Sequence, residues 1–193
     1  NCILILMNFV NKMNDRNIAI VAQDIKVTRP DGRTAQLGPQ YLALMLAATD
    51  GDSWEHRLSQ VMGDWRGAFR MVVLSGTKVI GCRDPWGFRP LSVGRLPNGG
   101  HAIASESGAL RTLGCDNIRE IEPGEIVVLQ GQMMRSFRGV APEPRQARCT
   151  FEHIYFSRPD AIWDGLSVHE ARQRLGAAVA DEHPVEADLA GGC

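Results

Sequence analysis

The chain has 193 residues, 44% of them hydrophobic and 22% charged, with a formal net charge of −1. That composition suits a soluble globular protein with one good core and room for part of a second. The near-neutral balance gives no electrostatic footprint for nucleic acid and no basic run for a membrane surface. The longest apolar run, residues 3–7, is too short to span a bilayer and lacks the flanks of a signal peptide.

Five cysteines, at positions 2, 82, 115, 149 and 193, contain no Cys-x-x-Cys pair. An odd, scattered set reads as reduced thiols in a cytoplasmic compartment. The chain opens on Asn1 and closes on Gly191-Gly192-Cys193, and we expect it to be an internal fragment of a longer protein.

In chain order, residues 3–7 read as a buried strand, 8–17 as asparagine-rich and turn-like, and 18–27 as loosely alternating. Arg29-Pro30-Asp31-Gly32 is a turn. Residues 39–48 combine apolar side chains with good helix formers and stop at Asp50-Gly51. Asp52, with Glu55 three positions on, predicts a capping box for a short helix carrying Trp54, Leu58, Val61 and Met62.

A strand-rich block follows. Residues 67–74 and 78–80 predict a hairpin around Ser75-Gly76-Thr77, and 91–96 with 101–105 a second around Pro97-Asn98-Gly99-Gly100. Residues 107–113 predict one or two helical turns capped by Ser105. Strands at 117–121, 125–129 and 133–137 complete the block, giving an α+β fold of antiparallel sheets packed with helices. Residues 139–148, with Pro142 and Pro144 and no periodicity, read as a linker. That divides the chain into residues 1–138 and 149–193. Beyond it, 149–156 is apolar and aromatic. Ser167 and Glu170 predict a second capping box, opening a helix with Val168, Ala171, Leu175, Ala178 and Val179 on one face, ended by Pro184.

Between the two hairpins, residues 82–91 read Cys-Arg-Asp-Pro-Trp-Gly-Phe-Arg-Pro-Leu. Proline fixes φ and glycine permits positive φ, so this stretch is a rigid corner. Arg83 and Arg89 on either side of Asp84 either brace the corner or grip an acidic ligand.

Residues 67–74, Arg83-Asp84-Pro85, Gly87, Arg89-Pro90-Leu91, Ala104-Ser105-Glu106, Ala109-Leu110 and Ile121-Glu122-Pro123-Gly124-Glu125 together resemble the second half of a class II glutamine amidotransferase domain. Cys149-Thr150-Phe151-Glu152, Ile154-Tyr155-Phe156, Arg158-Pro159-Asp160, Asp164-Gly165, Ser167-Val168 and Glu170-Ala171-Arg172 narrow the resemblance to the amidophosphoribosyltransferases, over roughly residues 66–190. The corner alone is shared with other class II amidotransferases; the 149–172 run points to the phosphoribosyl branch.

The resemblance implies an N-terminal nucleophile hydrolase-like domain, incomplete here, with two stacked antiparallel sheets between helices. The start of a phosphoribosyltransferase domain follows it. The implied reaction is the first committed step of purine nucleotide synthesis: ammonia from glutamine displaces pyrophosphate from phosphoribosyl pyrophosphate, giving 5-phosphoribosylamine. The implied partners are these two substrates and further copies of the full-length enzyme, with no nucleic acid and no membrane.

The family chemistry needs a cysteine at the start of the chain, its own α-amino group acting as base. Cys2 follows Asn1, so its nitrogen is an amide. Leu6 and Met7 stand where the family carries an oxyanion-stabilising Asn-Gly pair, and Gln36-Leu37-Gly38-Pro39 replaces a Ser-Asp-Thr-Glu run. No residue is therefore assigned a catalytic role. Arg83 and Glu106 are the candidate substrate contacts. Cys149 matches a cysteine that ligates a four-iron cluster in some members, the alternative being a buried thiol. Magnesium would be held in the parent enzyme by residues this chain does not carry. The competing readings are another class II amidotransferase and a non-catalytic, amidotransferase-like binding or regulatory subunit. The first 35 residues are also open to being out of frame with the rest.

Overall fold

The computed structural model of the chain describes residues 18–23, 26–28, 33–36 and 38–186. The strand expected at 3–7, the turn-like stretch 8–17, Cys2, the turn at 29–32 and residues 187–193 lie outside the described residues.

Three short N-terminal strands, β1 (Ile18–Gln23), β2 (Lys26–Thr28) and β3 (Thr34–Gln36), lead to helices α1 (Pro39–Ala48) and α2 (Trp54–Met62). Then come β4 (Trp65–Arg66), β5 (Arg70–Ser75), β6 (Lys78–Arg83), β7 (Ser92–Arg95) and β8 (His101–Ala104). After α3 (Ser107–Thr112) follow β9 (Asp116–Glu120), β10 (Glu125–Gln130) and β11 (Met133–Arg138). A π-helical turn (Glu152–Phe156), β12 (Ile162–Trp163), β13 (Leu166–Ser167) and α4 (Val168–Glu182) end the described chain.

Strand alternation sets the layering. In β5, β6 and β10, the residues Met71, Val73, Ile80, Cys82, Ile126 and Val128 point one way, and Val72, Val79, Val127 and Leu129 the other. The first set packs on Leu42 and Leu46 of α1 and Leu58 and Met62 of α2, with Trp65 and Phe69 edge to face at 5.4 Å between ring centroids. The second packs on Leu91, Val93, Ile103 and Ile121, which belong to or flank a second sheet ordered β8-β7-β9. Ala104, Ala109 and Leu110 then seal α3 onto that sheet's outer side. The result is four layers, helices–sheet–sheet–helix, with a main sheet ordered β1-β5-β6-β10-β11, antiparallel throughout. Each fully buried aliphatic or aromatic side chain in these layers is worth about 1.5–3 kcal/mol. The α+β reading holds. Between the sheets Gly81 faces Ile103, and a Cβ there would lie 2.8 Å from Ile103 Cδ1, so the missing side chain sets the inter-sheet approach.

Three local expectations change. The cap of α2 is Ser53, whose hydroxyl accepts the His56 N–H at 3.2 Å, rather than Asp52. Glu55 closes no box because its carboxylate is drawn to Lys78 (3.0 Å) and Arg135 (3.4 Å) on the sheet. The N-cap of α3 is Glu106, without a side-chain capping bond, so Ser105 is not the cap. At α4 the Ser167 cap is present, but only Val168 and Ala171 of the expected face are buried. Leu175 and Val179 stay exposed because nothing among the described residues packs on that end of the helix. Among the described residues no helix is long and apolar enough to cross a membrane.

Gly124 is where these pieces meet. Its N–H donates to the carbonyls of Arg83 and Asp84, both at 3.1 Å, and its carbonyl accepts from Gly139 and Val140. Its φ is +74°, and a Cβ would lie 2.3 Å from the Val140 carbonyl oxygen. Gly124→Ala therefore combines left-handed strain with a backbone clash, and we expect a loss of about 2–4 kcal/mol, read from the urea midpoint.

Candidate functional site

Residues 82–91 leave β6 and turn back into β7 around one buried guanidinium. The ladder ends when the Asp84 N–H donates to the Phe69 carbonyl at 3.0 Å. Arg83, 2% exposed, then donates from Nε to the Arg89 carbonyl (2.8 Å) and from Nη2 to the Gly87 carbonyl (3.0 Å). Its Nη1 reaches the Ile121 carbonyl (2.7 Å) and Glu120 Oε2 (3.1 Å). A guanidinium has five N–H donors, and four are spent on protein acceptors, so Arg83 stands in the structure as a brace.

Asp84, fully buried, shapes the same corner from within. Its Oδ1 accepts the N–H groups of Trp86 (2.9 Å) and Phe88 (3.2 Å), an Asx-type turn. Burial pushes its carboxyl above the usual carboxylate range, which the Phe88 N–H, the Arg83 charge and the Trp86 N–H offset only partly. Burial, with the Asp84 charge adding to it, also pushes the Cys82 thiol far up, which makes Cys82 an inert core residue.

Residues 139–148, expected to be a linker, form no helix or strand, yet they run along the corner as a strap. Glu143 N–H donates to the Pro85 carbonyl (2.9 Å), Ala147 N–H to Trp86 (3.0 Å) and Cys149 N–H to Phe88 (3.2 Å). Past the strap, Arg89 Nη1 meets Glu152 Oε1 at 2.9 Å, and Glu152 Oε2 accepts the Ser157 hydroxyl at 2.8 Å. Arg172 ties the π-helical turn to α4 through the carbonyls of His153 (2.8 Å) and Ser157 (2.7 Å).

The candidate residue Glu106 uses its carboxylate to accept the Arg158 N–H at 3.0 Å. It borders a cleft of ≈210 Å³ shared with Arg70, Arg89, Glu152 and Ser157. A second cleft, of ≈310 Å³, lies beside Arg83, Arg119, Glu120 and Arg148. Its charges are largely matched: Arg83 with Glu120, Arg119 with Glu125, and Arg148 with Asp164. The structure therefore puts Arg83 and Glu106 on different clefts.

Cys149 is buried, and among the described residues no three His, Cys, Asp or Glu side chains converge where a metal ion could be held. A cluster ligated at Cys149 would need its other thiolates from outside the described residues, and no chemical step is drawn through one.

Sequence reasoning did not single out Glu152, Ser157 or Arg172 as a unit. Arg89 and Glu152 stand 63 positions apart, so no spacing pattern exposes their contact.

Removing the brace should be costly. Arg83→Met orphans the carbonyls of Gly87, Arg89 and Ile121 and takes the cation from Glu120, leaving it the Asp164 N–H, and we expect a loss of about 3–5 kcal/mol in denaturant unfolding. A second prediction concerns pH. Glu125 is pushed up by burial, but the two-point contact with Arg119 and the Glu122 N–H outweigh that and hold its carboxyl below its ordinary 4.5. A depressed folded pKa contributes stability above the unfolded value and loses it as pH falls through the folded one. Glu125→Gln should therefore be less stable than the parent at neutral pH, with the gap closing as pH drops below 4.5, measured by urea unfolding over a pH series.

No family model matches the sequence. The curated amidophosphoribosyltransferase of Archaeoglobus fulgidus is 46% identical over 123 residues, covering 64% of this chain and 26% of the relative. That of Mycobacterium leprae is 36% identical over 181 residues, covering 93% of this chain and 32% of the relative, which carries the likeness well ahead of residue 66. The solved glutamine phosphoribosylpyrophosphate amidotransferase from B. subtilis, complexed with ADP and GMP, superposes with a TM-score of 0.77 at 30% identity, covering 92% of this chain and 41% of that one. The chain thus spans about a quarter to a third of the length of the curated relatives it matches. With the expected corner, stacked sheets and 149–172 segment all present in one fold, the chain belongs to the amidophosphoribosyltransferase family.

Proposed function

We propose that this chain serves an amidophosphoribosyltransferase, in which ammonia released from glutamine displaces pyrophosphate from phosphoribosyl pyrophosphate to give 5-phosphoribosylamine. The observation that carries the reading is the joining of two sequence signatures in one packed unit. The corner shared by class II amidotransferases is strapped, through Phe88 and Arg89, to the segment that resembles the phosphoribosyl branch. The resemblance puts residues 1–138 in the glutaminase half and 149–193 in the opening of the transferase half. Magnesium would be bound by residues beyond this chain. A cytoplasmic setting fits the free thiols of Cys82, Cys115 and Cys149, and on this reading the full-length enzyme assembles with further copies of itself.

The chemistry expected of this chain alone is narrower. A cysteine whose nitrogen is an amide has no terminal amine to act as base, and Leu6-Met7 supply no oxyanion donors. We therefore expect the purified 193-residue chain to release no glutamate from glutamine. Any glutamate release would overturn the assignment of no catalytic residue, and release lost in Cys2→Ala would identify Cys2 as the nucleophile. The same substitutions favour one second reading, a non-catalytic amidotransferase-like subunit. In a longer protein carrying this segment, phosphoribosylamine formation from glutamine supports the enzyme, and its absence with either glutamine or ammonia supports the subunit.

A further inference from the structure

We infer that Arg89, Glu152 and Ser157 form a registration latch, which fixes the one position in which residues 149–163 seat on the sheets. Side-chain exposure is 24% for Arg89 and 5% for Glu152, and taking such a pair out of water offsets most of its Coulomb gain, so its worth as a stabiliser is small. Its worth in specifying geometry is larger, because each displaced arrangement leaves a buried charge alone.

The other ties across this junction are less selective. Arg111 reaches the backbone carbonyl of Asp160, the Ser107 hydroxyl exchanges bonds with the Ile162 backbone, and Glu106 accepts a backbone N–H from Arg158. Backbone groups recur at every residue, so these contacts can re-form after a slip of the chain. Arg148 with Asp164, and Arg158 with Asp160, pair at the surface without reaching the sheets, and such exposed pairs are worth little. Among these ties, the Arg89–Glu152 pair alone joins a side chain to a side chain with the carboxylate buried.

The latch is also written into the backbone. Ser157 N–H donates to the Glu152 carbonyl at 3.1 Å while its hydroxyl donates to the Glu152 carboxylate, so the π-type spacing of the turn brings both groups of Ser157 onto one residue. Arg89 additionally lies over the Phe156 ring, 4.8 Å from its centroid, closing the turn against the corner. Arg89, Glu152, Phe156 and Ser157 also line one cleft with Glu106, so the latch residues form part of its wall.

The test separates registration from stability by replacing both charges with apolar groups. In the Arg89→Met/Glu152→Met variant we expect the thermal midpoint to stay within about 4 °C of the parent. Amide hydrogen exchange over residues 150–158 should become at least about tenfold faster, with amides of β6 and β10 unchanged. Unchanged protection at 150–158, or loss of protection spread equally through β6 and β10, would overturn the latch. If the double variant does not fold, Glu152→Gln, which keeps an acceptor for Ser157, should show the same local loss at reduced size, and no local loss refutes the proposal. An activity arm rests on the proposed function. In an amidophosphoribosyltransferase carrying this segment, the double variant should lose about tenfold in glutamine-driven synthesis relative to ammonia-driven synthesis, as expected when positioning alone is lost. Equal loss of both, or of neither, counts against positioning. A parent inactive with both nitrogen sources defeats the functional reading, while the exchange experiment still judges the latch.

Discussion

A buried guanidinium has to be satisfied, and in this protein that constraint organises the centre of the fold. Arg83 collects the carbonyls of Gly87, Arg89 and Ile121 together with the Glu120 carboxylate. Those acceptors come from the corner itself, from the end of β9 and from the residue that follows it. One side chain thereby joins the main sheet, the second sheet and the turn that crosses between them. Asp84 works against its own desolvation to pin the same turn from inside, which trades stability for a fixed backbone path.

That fixed path supplies a surface for the strap. With Pro85, Trp86 and Phe88 held in place, their carbonyls accept from Glu143, Ala147 and Cys149 in succession. A proline-containing stretch without regular structure follows one path because the corner presents three fixed backbone acceptors to it. The strap then delivers Glu152 to Arg89, so the geometry of the junction is inherited step by step from Arg83. Phe151, just before the π-helical turn, and Ile154 and Tyr155 within it are exposed, while the Phe156 ring lies under the Arg89 guanidinium.

The layered architecture depends on a second requirement, that both faces of the main sheet be covered. β10 reads Glu-Ile-Val-Val-Leu-Gln and is buried along nearly its whole length, since α1 and α2 cover one face and the β8-β7-β9 sheet the other. Its neighbour β11 is exposed throughout and ends the sheet, with Arg135 and Arg138 among its residues, as suits an unpaired edge.

Local signals in the sequence determined a good deal. Hairpin turns at Gly76 and Gly99, the strand alternation, the rigid 82–91 corner and the helix opened by Ser167 are short-range properties, set by φ preferences and by which faces must be apolar. The family likeness was legible for the same reason, since its motifs are contiguous runs. Only the tertiary structure decided that the Glu55 carboxylate would turn to Lys78, that residues 139–148 would lie along the corner, and that Glu152 would pair with Arg89. Each of these depends on a charge or a backbone donor finding its partner across tens of residues of intervening chain. Such pairings cost loop-closure entropy and are selected by burial, and neither quantity is visible in local spacing.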